Sequence, residues 1–297
     1  METSFVSVSS TGSLETPFIH LLPDGRAVCS VCPRRCRLER NGTGTCGALR
    51  FADGDLHRTH KGCAFDVRVT AAEGCGLTRF HPGTAWLGIE SPGSGLQVQH
   101  DLVAGGPDQL LSALSAEEAV FLARVWGCKG IYLDTDDPVF GVGEGFEILQ
   151  KARAASLKTA VVSTGYLLPR SRELLFANAD AVSLTLFSIA PGFYRRRFGA
   201  RPDPVLETVQ WLRRRPSIWV EVTLPLFVGE NDKPVDVDHL ARWVDETLGP
   251  STPFHVVSAD PFLPPGALER AAETARRAGL VDVGVPTPMH LTLETPS

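Results

Sequence analysis

The segment FHPGTAWLGIESPGSGLQVQHD, Phe80 to Asp101, holds a short apolar run, Ala85 to Glu90, closed by Ser91, Pro92, Gly93, Ser94 and Gly95. An apolar run of that length ended by turn formers reads as a buried strand entering a loop. Strand and helix patterns alternate after it. It is therefore the first strand of an α/β domain, a class that places its chemistry in loops at the carboxyl ends of strands. This loop has no cysteine; beyond small and amide side chains it offers His100 and Asp101.

Toward the C-terminus, Ser115 and Glu118 make a capping box ahead of an apolar face of Ala119, Val120, Ala123 and Trp126. Gly130 to Leu133 is the next strand. It runs into DTDDPVFGVGEG, where Asp134, Asp136 and Asp137 gather before Pro138 as a candidate binding loop. Gly141, Gly143 and Gly145 are a weak phosphate pattern, and no GxGxxG or Walker motif occurs. A helix over 144–155, a strand over 159–163 and the loop Ser163-Thr164-Gly165-Tyr166 follow. After a helix around 172–176 and a strand over 181–186, Asp203 and Pro204 read as cap and first residue of a helix carrying Val205, Leu206, Val209 and Leu212. A strand over 219–224 ends in a loop with Glu230, Asn231 and Asp232. The helix bearing Val237, Leu240, Ala241, Val244 and Leu248 has the clearest helical period. A strand over 254–258 and an alanine-rich helix ending near Ala278 come last. Strands near 85, 130, 159, 181, 219 and 254 make about six βα units with a parallel sheet. The expected fold class is α/β, a partial (β/α)6 TIM-like barrel, with a doubly wound sheet as the alternative.

At 297 residues, 43% hydrophobic and 21% charged, the chain can bury one large core plus a small appendage. A net charge of -5 gives no general attraction to nucleic acid. The arginine runs 195–197 and 213–215 read as solvated helix ends and loop tips. No apolar stretch is long enough for a membrane span. Residues 1–17 lack the basic start and apolar block of a secretory signal and read as a flexible tail. A cytoplasmic protein is expected, whose seven cysteines are thiols or metal ligands rather than disulfides.

Residues 18–79 form the cysteine-rich N-terminal subdomain in this reading, and 80–297 the barrel domain. CSVCPRRCRLERNGTGTC places Cys29, Cys32, Cys36 and Cys46 close together, enough soft donors for a tetrahedral zinc site or an iron-sulfur cluster. Spacing does not separate those two, and four unligated thiols are the plain alternative. ALRFADGDLHRTH reads as a hairpin about Asp53-Gly54. Cys63, Cys75 and Cys128 have no partner at ligand spacing and read as ordinary thiols.

The chain resembles the radical SAM enzymes of the AmmeMemoRadiSam type, relatives of pyruvate formate-lyase activating enzymes. The resemblance spans about residues 29–286 and rests on CSVCPRRCRLERNGTGTCGALR, FHPG, STGY, FYRRRFGARPDPVLETV, and VEVT with GEND. It implies a 4Fe-4S cluster held by a CxxxCxxC loop after the first strand. Aligned from FHPG, the cysteine positions fall at Ser94, Val98 and Asp101, two hard oxygen groups and a hydrocarbon, so that cluster is not expected to form. The family's YTEP motif falls on Thr135, Asp136, Asp137 and Pro138, its NGY on Thr164, Gly165 and Tyr166, and its DLK on Thr185, Leu186 and Phe187. An Arg and a His near the last strand become Ser258 and Asp260.

Three functions are compatible with this. In the first, the barrel mouth binds S-adenosylmethionine or a related small ligand for non-radical chemistry. Thr135, Asp137, Ser163, Thr164, Thr185 and Thr223 would line the pocket, and Asp137 would anchor an ammonium. In the second, a non-catalytic relative acts through a protein partner, which predicts an occluded or apolar mouth, and Phe187 and Val98 are consistent with that. The third moves a redox cluster to Cys29, Cys32, Cys36 and Cys46.

Overall fold

The computed structural model describes residues 18–52, 55–58, 66–96 and 114–286. Strands β1 (Ile19–Leu21), β2 (Ala27–Cys29) and β3 (Arg37–Leu38) form a small antiparallel sheet. β4 (Leu49–Ala52) pairs with β5 (Asp55–Arg58) as the expected hairpin, and its Asp53-Gly54 turn lies outside the described residues. β6 (Asp66–Ala71) then opens the main sheet, antiparallel to β7 (Ala85–Ser94). β8 (Gly130–Asp136), β9 (Lys158–Ser163), β10 (Ala181–Thr185), β11 (Trp219–Leu226), β12 (Phe254–Ser258) and β13 (Val283–Gly284) add in turn, all parallel. Spatial order equals chain order, as successive βα crossovers produce.

The helices are α1 (Ala116–Val125), α2 (Pro138–Val142), α3 (Glu144–Ala154), α4 (Pro169–Phe176), α5 (Pro191–Phe198), α6 (Asp203–Arg213), α7 (Pro234–Leu248) and α8 (Ala267–Arg277). Their apolar stripes bury one sheet face in two cores. The first joins Leu87, Ile89, Ile131, Leu133 and Val161 to α1, α3 and α4; the second joins Val222, Leu224 and Val256 to α5, α7 and α8. No helix among the described residues is long and apolar enough to cross a membrane.

The opposite, inner face is packed at the amino ends of the strands by a 3-10 turn, Ala72–Cys75, and Leu77 against Trp86, Tyr132, Ala160 and Ala181. The chain then crosses to the far edge. The fully buried carboxylate of Glu221 on β11 accepts the N–H groups of Thr78 (2.8 Å), Arg79 (2.9 Å) and Phe80 (2.9 Å), and the indole N–H of Trp219 (3.0 Å). His255 Nε2 lies 2.7 Å from it, and Arg79 pairs with Asp282 beside β13 at 2.7 Å. The turn between β6 and β7 thus ties the first edge of the sheet to the last.

Two expectations change in detail. The acidic loop after Leu133 is the end of β8 followed by α2, because Asp137 caps that helix and Pro138 fits its first position. Two of its glycines are close-packing positions: a Cβ on Gly141 or Gly145 would lie 2.8 Å from a methyl of Leu175 or Leu133. α6 starts at Asp203 itself after Pro202, and the Asp203 carboxylate takes Arg201 at 3.0 Å instead of capping.

Candidate functional site

Alternate residues of each strand point to the inner face, and the register aligns them into rungs. Asp66 stands opposite Glu90, Glu90 opposite Asp134, Asp134 opposite Val162, Val162 opposite Ser183, and Ser183 opposite Glu221. A single rung thereby places acids on β6, β7, β8 and β11. Facing like charges repel, and the two ends of the rung resolve this differently. Glu221 is satisfied by the backbone and indole N–H groups above and by His255. At the other end Arg68, opposite Gly88 one rung lower, donates to Asp66 (2.8 Å), Glu90 (2.7 Å) and Asp134 (3.2 Å).

The two ends also differ in access. Gly76, at φ 76°, brings its backbone against β10 and β11, where a Cβ would lie 2.5 Å from Ser183 Oγ and 3.3 Å from Thr223 Oγ1. Glu221 beneath this cover has 0% side-chain exposure, whereas Asp66 keeps 43%, Arg68 32%, Asp134 23% and Glu90 10%. Tyr132 forms the floor of the open end. Its ring lies over Gly88, whose Cβ would come within 2.3 Å of the phenol oxygen. That hydroxyl is buried without a hydrogen-bond partner; burial pushes its pKa up against the pull of Arg68, so it stays neutral.

Of the residues expected to line a pocket, Thr185 and Thr223 face each other across β10 and β11, and Thr223 faces His255. Thr223 Oγ1 is buried and unpartnered. Thr135 and Ser91 share a hydrogen bond of 2.7 Å, and Thr135 donates to the Asp137 carbonyl at 3.0 Å. Asp137 Oδ1 accepts the N–H groups of Val139 (2.8 Å) and Phe140 (3.2 Å), which commits that oxygen to α2. Ser163 Oγ accepts the N–H of Gly165 at 3.1 Å, and Thr164 is buried beside it. Phe187 does not line an opening: it sits in an aromatic cluster, 5.0 Å from Phe198 and 6.2 Å from Phe227. Ser258 and Asp260 form a turn, with Ser258 Oγ donating to the Asp260 carbonyl at 2.8 Å.

Cys29, Cys36 and Cys46 pack with Phe18, Leu38 and Leu49 in the small N-terminal core. Burial pushes the Cys29 thiol up to about 11, that of Cys32 up to about 12, and that of Cys46 upward too; charge on neighbouring cysteines adds to each. Cys36 Sγ accepts the N–H of Thr45 at 3.4 Å. These soft donors suit zinc or an iron-sulfur cluster, yet no three His, Cys, Asp or Glu side chains among the described residues are grouped to hold a metal ion. Cys75 is buried and donates to Ala72 O at 3.0 Å, Cys128 is buried, and Cys63 lies outside the described residues.

Ser94 ends β7 as a buried hydroxyl, while Val98 and Asp101 lie outside the described residues. The loop it enters is pressed by the N-terminal segment. Gly93, at φ 131°, has the Cys46 carbonyl 2.6 Å from where a Cβ would be, and Gly95 faces Cys32 and Tyr166. Ser94 offers a hydroxyl there rather than a thiolate. Arg34, between Cys32 and Cys36, fastens the two parts: it donates to the carbonyls of Gly95 (2.9 Å), Gly199 (2.9 Å) and Phe198 (2.6 Å), the last two at the C-terminus of α5, and lies over the Tyr166 ring at 5.7 Å.

Asp66, Arg68 and Glu90 are absent from the sequence-based site. Their pattern was visible: DVRVT alternates polar and apolar residues, and Glu90 closes an apolar run. What the sequence lacked was the antiparallel pairing of β6 with β7, which sets these residues on one rung.

No protein-family model matches the chain. An uncharacterized protein of Methanocaldococcus jannaschii, MJ0808, is 26% identical over 246 residues, covering 81% of this chain and 73% of that protein. A radical SAM methyltransferase from Sphaerobacter thermophilus shares the fold, with a TM-score of 0.51 at 14% identity over 69% of this chain and 67% of the other. A domain of pyruvate-formate lyase-activating enzyme from Bacteroides vulgatus gives a TM-score of 0.46 at 12% identity over 52% of this chain and 98% of that one.

Proposed function

We propose that this chain is a radical SAM-fold protein, curled as a partial (β/α)6 barrel, that has lost the loop 4Fe-4S cluster and binds S-adenosylmethionine or a related small ligand at the strand carboxyl ends for non-radical chemistry. The observation that carries this is Ser94: a buried hydroxyl stands where the resemblance places a thiolate, while the surrounding inner face stays polar. Thr164, Thr185 and Thr223 would supply hydroxyls to the ligand. Asp137 would supply charge from the N-terminus of α2. Transfer from a sulfonium requires mainly that a nucleophile be aligned with the reacting carbon, which a rigid strand-end site provides. Zinc or an iron-sulfur cluster at Cys29, Cys32, Cys36 and Cys46 is a separate part of the proposal, since the thiols would have to deprotonate and draw together on binding.

Anaerobic reconstitution with iron and sulfide, followed by metal counting and calorimetric titration with S-adenosylmethionine, tests the reading. Zinc or no metal together with measurable ligand binding supports it. A 4Fe-4S cluster that survives replacement of the four N-terminal cysteines, or no heat at millimolar ligand, overturns it.

A further inference from the structure

The open end of the acidic rung has a use that the proposed adenosyl ligand does not exhaust. Asp66 and Glu90 together already exceed the single charge of Arg68, before Asp134 is counted, and among the described residues Arg68 is the cation that contacts all three. The rung stays partly open to solvent, and below it the unpartnered Tyr132 oxygen can accept a hydrogen bond. A divalent metal suits it poorly, because no three of its donors among the described residues are grouped as ligands. An ammonium has no such need for close coordination: it is satisfied by two or three oxygens at hydrogen-bond distance.

We propose that Asp66, Arg68, Glu90, Asp134 and Tyr132 form a binding subsite for a small aliphatic amine, with Arg68 as the internal cation that the incoming ammonium shares or displaces. The subsite rests on the reading above only in placing the ligand at the strand ends. It selects by charge, so a diamine binds and a diol of the same length does not.

The test is calorimetric titration of the full chain with 1,4-diaminobutane, with 1,4-butanediol as the uncharged control and S-adenosylmethionine titrated separately. Saturable diamine binding without diol binding is expected, weakening at least about tenfold in Glu90→Gln and in Asp66→Asn. Arg68→Met moves the other way: with the internal cation gone, the diamine binds more tightly. A residue of merely structural value would not improve binding when removed. No diamine binding up to about 10 mM, equal binding of the diol, or affinity unchanged in both Glu90→Gln and Arg68→Met overturns the proposal. Diamine binding without S-adenosylmethionine binding upholds this subsite and sinks the adenosyl reading; the reverse result sinks this subsite alone.

Discussion

Glu221 is a carboxylate with no exposed side chain that nonetheless remains ionised. Burial works to raise its pKa, but His255, the Trp219 indole and the backbone N–H groups of the crossing segment outweigh it and hold the group below its ordinary value. A folded pKa below the unfolded value of about 4.3 gives stabilisation that is complete above that pH and lost as pH falls through the folded value. Glu221→Gln should therefore cost about 3 kcal/mol in urea melts at neutral pH and flatten the fall in stability on acidification. An unchanged acid limb would assign that limb to other carboxylates. Gly88 makes a second residue-scale case. An added Cβ meets Tyr132 at 2.3 Å, so Gly88→Ala should cost roughly 1–3 kcal/mol by overpacking; melts of Gly88→Ala combined with Tyr132→Leu should recover part of the loss. Neither feature was legible beforehand. Glu221 sits in VEVT like any strand acid, and what makes it special is a segment some 140 positions upstream.

The elements themselves were far more readable, because period and caps are local properties. Six strands and the Ser115 capping box emerged where alternation and turn residues placed them. β6 escaped because all but its last residue are only half-buried, so its alternation marks an edge strand rather than a core one. α2 escaped because five residues are too few for a helical period and three acids suggested a loop. Its cap offers a clean separation of roles. Asp137→Asn keeps an N-cap and discards the charge, whereas Asp137→Ala discards both at a cost of roughly 1–2 kcal/mol. If Asp137 anchors a ligand ammonium, thermal melts with and without S-adenosylmethionine should show a native-like Tm for the Asn variant but no ligand-induced rise. A normal rise in that variant would leave Asp137 as a cap alone.

For the whole molecule, Arg34 makes three of the hydrogen bonds that attach the cysteine-rich segment, beside the packing of Val139, Val142 and Leu174 against its small core. Arg34→Met should leave the main sheet folded and expose 18–52 to protease at least about tenfold faster, read by mass mapping of early cuts. Equal cleavage would mean that the small apolar core holds the segment unaided. Added zinc should slow those cuts if the four cysteines bind it. A different consequence follows from the crossing segment that joins both edges of the sheet. Arg79 and Asp282 are 203 residues apart in sequence, so the tie forms only after nearly every βα unit has been synthesised. The Thr78 to Phe80 N–H groups lack their acceptor until Glu221 is in place, and the last edge lacks Arg79 until Asp282 is. Contacts of such long sequence separation form slowly, so this tie is expected late in folding.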